Sequence, residues 1–232
     1  MKRGGTGNQA AVGTGTAHVT SEVLSEGEHE GRLVYVADLG LQQKSYKGED
    51  LGQFYQAALG IEIIGEVVTI EDEDGNEEEK PLVLWDRPFY AYDTMTEKGV
   101  ELKRYQVFEP SASEGQVPDW EAQLGKPVNV NVIHNEGKGD NAGKMYPNIK
   151  SLTPIPAKYQ DGVGEANLTA GMGDSDDEDN PINKVLFGLV KYIYDKRIIG
   201  EQPHGAPKDK SVAEGTEAAG NDQPDFDDDI PF

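Results

Sequence analysis

Short runs of β-branched and aromatic residues, separated by turn-forming residues, recur between Gly31 and Ile155. The runs predicted to be strands are 31–44, 60–70, 81–89, 100–108, 127–133 and 145–155, with an edge strand near 17–24. Both alternating sets of residues in 31–44 are partly apolar, so this strand is predicted to be buried along much of its length. The pattern favours a small closed β-barrel, and a β-sandwich is the alternative.

Two short helices are predicted between these strands, at 51–59 and at 119–124. Gly125 is a suitable end for the second helix. Asp74, Gly75 and Asn76 predict a tight turn between the second and third β runs. An oligonucleotide-binding (OB) barrel has its helix between its third and fourth strands. The predicted fold is therefore mainly β, with a single OB-fold barrel of about five to six strands and a short helix before the last hairpin.

The predicted division is a flexible N-terminus 1–16, a barrel domain 17–156, an acidic linker 157–180, a helix 181–200 and a disordered acidic tail 201–232. In the helix, Asn180 is a suitable N-cap and Pro181 a suitable first residue. One helical face carries Ile182, Val185, Leu186, Leu189 and Ile193. This face is predicted either to dock on the barrel or to mediate self-association.

The net charge of −22 is unevenly distributed along the chain. Residues 71–80 hold seven acids and one base, 174–179 hold five acids, and 201–232 hold nine acids and two bases. The remaining residues are nearly balanced, with 18 Lys and Arg against 22 Asp and Glu. Because electrostatic attraction acts locally, within a Debye length of about 8 Å, a basic groove on one face is compatible with the overall charge.

The sequence shows no signal for export, for a membrane span or for the common catalytic and metal-binding sites. The chain has no cysteine, which suits the cytoplasm, and no apolar stretch follows Lys2 and Arg3 to make a signal peptide. No run approaches the roughly 18 apolar residues of a membrane span, so no membrane partner is predicted. Phosphate-loop, metal-ligand, calcium-loop and catalytic-triad signatures are also missing. We therefore expect no enzyme activity, no cofactor and no metal.

Aromatic and basic residues are interleaved in four places. Together they give the predicted DNA-binding residues Lys44, Tyr46, Lys47, Trp85, Arg87, Tyr90, Tyr92, Lys103, Arg104, Tyr105, His134, Lys144, Tyr146 and Lys150. Single-strand binding without sequence readout needs aromatic faces for bases and a basic track for phosphates. Aromatic residues in strands more often belong to the core. In the last strand Ile149 is predicted to face the core, which turns Lys150 and Tyr146 outward; Trp85 is either core or exposed.

The last eight residues of the sequence read D-F-D-D-D-I-P-F. Apolar groups on a flexible acidic segment suit a basic-rimmed pocket that captures a terminal carboxylate. The plain alternative is an acidic tail with no specific partner. The predicted partner-binding residues are Asp225, Phe226, Asp227, Asp228, Asp229, Ile230, Pro231 and Phe232.

This octapeptide resembles the C-terminal tip of bacterial single-stranded DNA-binding proteins of the enterobacterial type. There the tip recruits replication and repair proteins, which implies that Pro231 and Phe232 fill a partner's pocket and that Asp227–Asp229 meet its basic rim. Residues 31–47 and 127–156 resemble phage-encoded single-stranded DNA-binding proteins with one OB barrel. The resemblance implies an enterobacterial phage protein with a host-like tip, acting in the host cytoplasm.

The function expected from the sequence is single-stranded DNA binding and protection in phage DNA replication, recombination and repair, with partner recruitment by the tip. One alternative is an acidic decoy that occupies host replication or repair proteins through the tip without binding DNA. Another is a metal-dependent nuclease, which needs carboxylates clustered on strands, whereas the dense carboxylates here lie in predicted loops and tails.

Overall fold

The computed structural model describes residues 18–19, 23–47, 49–71, 76–137, 139 and 142–199. The strands are β1 (His18–Val19), β2 (Gly27–Tyr46), β3 (Glu49–Glu71), β4 (Glu77–Trp85), β5 (Phe89–Ala91), β6 (Pro127–Glu136), β7 (Met145–Pro154) and β8 (Gly171–Met172). The α-helices are α1 (Val100–Phe108), α2 (Ala157–Gln160) and α3 (Gly188–Asp195), with 3₁₀ turns at Glu121–Gln123 and Asn183–Val185. The described fold is mainly β, as the sequence predicts.

These strands form one sheet in which the order β7–β6–β2–β3–β4 is antiparallel throughout. β1 and β5 also pair with β3, and β8 adds to β2 in parallel. The sheet curls until its two end strands, β4 and β7, come within contact distance of each other. The pairing of its long central strands β2 and β3 is interrupted by three register shifts.

The two faces of the sheet cover two separate apolar clusters. Successive residues of a strand point to opposite faces, so Leu33 and Leu59 belong to the inner cluster while Val34 and Ala58 belong to the outer one. Helix α1 and Trp120 close the inner cluster. The 3₁₀ turn Asn183–Val185 and α3 cover the outer cluster. Burial on both faces confirms the prediction for the strand 31–44.

Two predicted elements are wrong. Residues 51–59, predicted as a helix, lie in β3, where Tyr55, Ala57 and Leu59 continue the alternation of Ile61 and Ile63. Residues 100–108, predicted as a strand, form α1. There Leu102, Tyr105 and Phe108 recur every third residue and are buried against the inner cluster. Packing of that helical face outweighs the partial alternation of the local sequence.

The other predicted helices are shorter than expected. In 119–124 the structure has the 3₁₀ turn Glu121–Gln123, where Asp119 Oδ1 accepts from Ala122 N at 3.0 Å. The helix predicted at 181–200 is divided into Asn183–Val185 and α3. Gly188, at φ +55, allows the chain to change direction between them. Val190 and Ile193 pack on the outer cluster, which favours the docked interpretation of this segment over self-association through the same face.

Residues 163–175, within the predicted linker 157–180, pack against the sheet. Arg32 donates to the carbonyl oxygens of Val163 and Gly164 at 3.0 and 2.7 Å. Glu62, whose exposed fraction is 0%, accepts from the backbone N–H groups of Asn167 and Leu168 at 2.7 and 2.9 Å. Charged groups of two central strands thus hold the segment in place.

Replacing Glu62 with Gln is expected to lower the free energy of unfolding by about 1–3 kcal/mol. The new amide places an N–H donor where a carboxylate oxygen accepts, so a buried backbone donor loses its partner. Urea unfolding measures this difference, with Glu66→Gln on the exposed part of the same strand as the control. Equal unfolding midpoints for the two variants would contradict the assigned role of Glu62.

Some predictions lie outside the described residues: the N-terminus 1–16, Asp74 and Gly75 of the predicted turn, and the tail 201–232 with its tip. The strands on either side of that turn do pair, with Glu71 opposite Glu77. Within the described part of the chain, each helix is too short or too polar to span a membrane.

Candidate nucleic-acid interface

Four residues form a cluster that we call the aromatic patch: Lys44 of β2, Phe54 of β3, Tyr90 of β5 and Tyr92 in the loop after β5. The Phe54 ring centroid lies 5.5 Å from that of Tyr90 and 6.3 Å from that of Tyr92, both in edge-on arrangements. Lys44 Nζ lies 4.4 Å from the Tyr90 ring centroid and 5.4 Å from the Phe54 centroid. One ammonium group therefore makes cation–π contacts with two rings.

Strand register brings these residues together. Phe54 pairs with Gln42 in β2, and Gln56, two residues along β3, pairs with Tyr90 in β5. Residues two apart on a strand share a face, so Phe54 and Tyr90 are diagonal neighbours. Lys44 pairs with Gly52, whose φ of +95 lies in the region that glycine favours.

Burial disfavours the ionised form of both tyrosines of the patch. It raises the pKa of Tyr90, opposed by a side-chain hydrogen bond from Gln56. It also raises the pKa of Tyr92, with further contributions from the negative charge of an ionised Tyr90 and of Glu101. All four side chains of the patch are half-buried, so each keeps a solvent-facing part. The patch therefore presents uncharged ring surfaces beside one cation.

Three predicted DNA-binding residues have structural roles instead. Tyr105 is buried in the inner cluster, and its hydroxyl accepts from Gln123 Nε2 at 2.8 Å. Arg104 donates from Nη2 to Oδ1 of the buried Asp86 at 3.1 Å. Trp85 stacks on Tyr35 at 6.1 Å and packs against the outer cluster. The prediction is corrected for Tyr105 and Arg104, and the core alternative holds for Trp85.

The other predicted DNA-binding residues near β2, β4 and α1 do not belong to the aromatic patch. Lys47, Arg87 and Lys103 are exposed. Lys47 lies in the connection between β2 and β3 with φ 50, and the backbone of Tyr46 pairs with Glu49 just before it. The side chain of Tyr46 lies outside the described part of the structure.

The fourth predicted group lies on the β6–β7 hairpin, at the opposite end of β2 from the aromatic patch. Ile149 is buried and Lys150 exposed, which confirms their predicted facing, and Tyr146 is half-buried. Lys144 is half-buried at the start of the same strand. The His134 ring is hydrogen-bonded through Nε2 to the Leu24 carbonyl oxygen at 2.7 Å, so one side of this ring is already engaged.

Phe54 is the member of the patch that the sequence prediction missed, because it was assigned to a helix. The alternation of Tyr55, Ala57, Leu59, Ile61 and Ile63 was the available signal. It predicts a continuous strand and turns Phe54 to the other face, together with Gln56.

Comparisons of the chain with protein-family models, with curated proteins and with solved structures find no match.

Proposed function

We propose that this protein binds single-stranded DNA without reading a defined sequence, and that it protects the strand during phage DNA replication, recombination and repair. The observation that carries the proposal is Lys44 lying over both Tyr90 and Phe54 on one half-exposed sheet face. Ring faces accept stacked bases of any sequence, and the ammonium neutralises an adjacent phosphate.

The proposal includes an OB-type barrel formed by β2, β3, β4, β6 and β7. Three features support it: the strand order, the contact between β4 and β7, and α1 between the third and fourth of these strands. In OB folds the face of strands 2 and 3 and the loops 1–2 and 4–5 bind oligonucleotides. The corresponding parts here are the face that bears Phe54, the β2–β3 connection beside Lys44 and Lys47, and the β6–β7 hairpin with Lys144 and Tyr146.

The tip Asp225–Phe232 is proposed to recruit replication and repair proteins, on the strength of its resemblance to the bacterial tip. Such a role places the protein in the host cytoplasm, where the DNA is. The decoy alternative needs the tip but no half-exposed aromatic and basic residues on the sheet. The composition of the aromatic patch therefore favours DNA binding over the decoy.

Titration into labelled oligo(dT), single-stranded and duplex, at several salt concentrations tests the proposal. We expect single-strand binding that weakens with salt, with a log–log slope of about −0.7 for each phosphate contacted. Lys44→Met should make the slope shallower by about 0.7.

Lys158→Met is the matched control, because Lys158 also lies over a tyrosine ring, that of Tyr159, at 4.5 Å on the surface helix α2. It should leave the slope unchanged. Absence of single-strand binding at low salt, also after removal of 201–232, would favour the decoy.

A further inference from the structure

A second pair of one ring and one cation lies at the C-terminal end of α3. Lys196 Nζ lies 4.0 Å from the ring centroid of Tyr192 and also donates a hydrogen bond to the Tyr192 hydroxyl. Tyr192 is half-buried and packs against the outer cluster, and Lys196 is exposed. The pair therefore has the same composition as the pair of Lys44 and Tyr90 in the aromatic patch.

Gln42 connects this end of α3 with the aromatic patch. It lies directly opposite Phe54 in the pairing of β2 with β3, so both side chains are on the same face of the sheet. Only 9% of Gln42 is exposed, and its Nε2 donates to the carbonyl oxygen of Ile193 at 3.1 Å. Tyr192 is the residue before Ile193. The last turn of α3 and the ring of Phe54 are therefore neighbours of the same glutamine.

The segment from the second 3₁₀ turn to the end of α3 runs along β2. At its start, Asn183 Nδ2 donates to the carbonyl oxygen of Asp174 at 2.6 Å, and Asp174 follows β8, which pairs with β2 at Val36. At its end, Ile193 is bonded to Gln42, six residues further along β2. Because the helix follows the strand, one of its flanks faces β3 and the other faces the side of β2 that bears β8.

Contacts of the flanks show which one faces β3. Tyr192 and Tyr194 are about 100° away from Ile193 around the helix, on opposite sides. On the Tyr194 side, Arg197 lies 3.9 Å from the ring centroid and donates from Nε to the carbonyl oxygen of Ser175 at 3.1 Å. Ser175 follows β8, so this flank faces away from β3. Tyr192 is therefore on the flank that faces the strand of the aromatic patch.

The negative groups at this end of α3 are already engaged. A helix C-terminus disfavours a phosphate because its last carbonyl groups carry partial negative charge. Here the Ile193 oxygen accepts from Gln42 Nε2 and from Lys196 N at 3.1 and 3.0 Å. The Asp195 carboxylate is paired with Lys191 at 2.9 Å. Within the described residues no carboxylate is paired with Lys196, so its charge is available to an anion.

We propose that Tyr192 and Lys196 form a second stacking platform, which receives a further nucleotide of the strand held on the aromatic patch. The inference rests on the proposed function and extends its binding site from the sheet onto α3. A half-buried ring stacks on a base of any sequence, and the ammonium group neutralises the adjacent phosphate. The strand would cross the sheet face from Tyr90 past Gln42 to α3.

The length of the bound strand gives the first test. Fluorescence titration compares oligo(dT) of about 4 and about 16 nucleotides, the range of site sizes for one OB fold. Tyr192→Ala should weaken binding of the longer oligomer by about 5- to 150-fold. It should leave the shorter one nearly unchanged, because its few bases can be held on the aromatic patch. Circular dichroism establishes that the variant is folded, and Tyr159→Ala should change neither affinity.

The salt dependence gives the second test. With the longer oligomer, Lys196→Met should make the log–log slope shallower by about 0.7. Lys191→Met is the matched control on the same helix, and it should keep the wild-type slope because Lys191 is paired with Asp195.

Three results would overturn the inference and leave the proposed function intact. They are a wild-type slope for Lys196→Met, the same change of slope in both lysine variants, and an equal loss of affinity for both oligomer lengths in Tyr192→Ala. Failure of the wild-type protein to bind any oligomer would instead refute the proposed function.

Discussion

Replacing Arg104 with Met is expected to lower the free energy of unfolding by about 3–5 kcal/mol near neutral pH. The side chain of Asp86 is fully buried, and Arg104 is its charged partner, donating from Nη2 to Oδ1 at 3.1 Å. Removing the guanidinium leaves a buried carboxylate that keeps only the backbone hydrogen bond and the weaker charge of Arg87. Such a loss is far larger than that expected for an exposed basic residue.

The pH dependence gives this prediction a second readout. Burial raises the pKa of Asp86, and Arg104 opposes that rise. A carboxyl whose pKa is higher in the folded state contributes its full stability below the ordinary Asp pKa, and this contribution falls as pH rises towards the folded value. Without Arg104 the pKa of Asp86 in the folded state rises further. The loss in free energy of unfolding should therefore be largest at neutral pH and should become smaller in mild acid.

Urea unfolding across pH measures both effects. Lys103→Met is the matched control, since Lys103 is the exposed neighbour on the same helix, and it should change stability by less than about 0.5 kcal/mol. A similar loss in free energy of unfolding for both variants, or a loss for Arg104→Met that does not change with pH, would contradict the structural role assigned to Arg104.

The structural role of Arg104 could not be predicted from the local sequence. Within K-R-Y the three residues read as one basic and aromatic group, yet α1 turns Lys103 to solvent, Arg104 to Asp86 and Tyr105 to the inner cluster. That separation follows from helical periodicity, which was misread because Val100, Leu102 and Val107 also suit a strand. The partner of Arg104 is 18 positions away and is set by tertiary packing.

The strands were more predictable than the helices for a physical reason. Runs 60–70, 127–133 and 145–155 combine β-branched residues with turn signals, and both cues are local. The patch depends instead on register: Tyr90 meets Phe54 because β5 pairs with β3, and no local pattern specifies that pairing. Lys44, Tyr90 and Tyr92 were therefore predictable by residue type, whereas their association with Phe54 was not.

Replacing both Phe54 and Tyr90 with Ala is expected to weaken single-stranded DNA binding strongly. Each lost stacking contact should cost about 1–3 kcal/mol, which is roughly 5- to 150-fold in affinity. The two rings touch each other, so the double variant should lose less than the sum of the single variants. Because both side chains are half-buried, circular dichroism must first establish that each variant is folded.

Tyr159→Ala is the control that separates stacking on the patch from a general loss of aromatic surface. Tyr159 is exposed on α2 and lies under a lysine, as Tyr90 does, but it belongs to none of the strands β2, β3 and β5. Its replacement should leave the affinity for oligo(dT) unchanged. If the folded double variant binds as tightly as the Tyr159 variant, bases do not stack on Phe54 and Tyr90, and DNA binding would have to be sought at the β6–β7 hairpin around Tyr146.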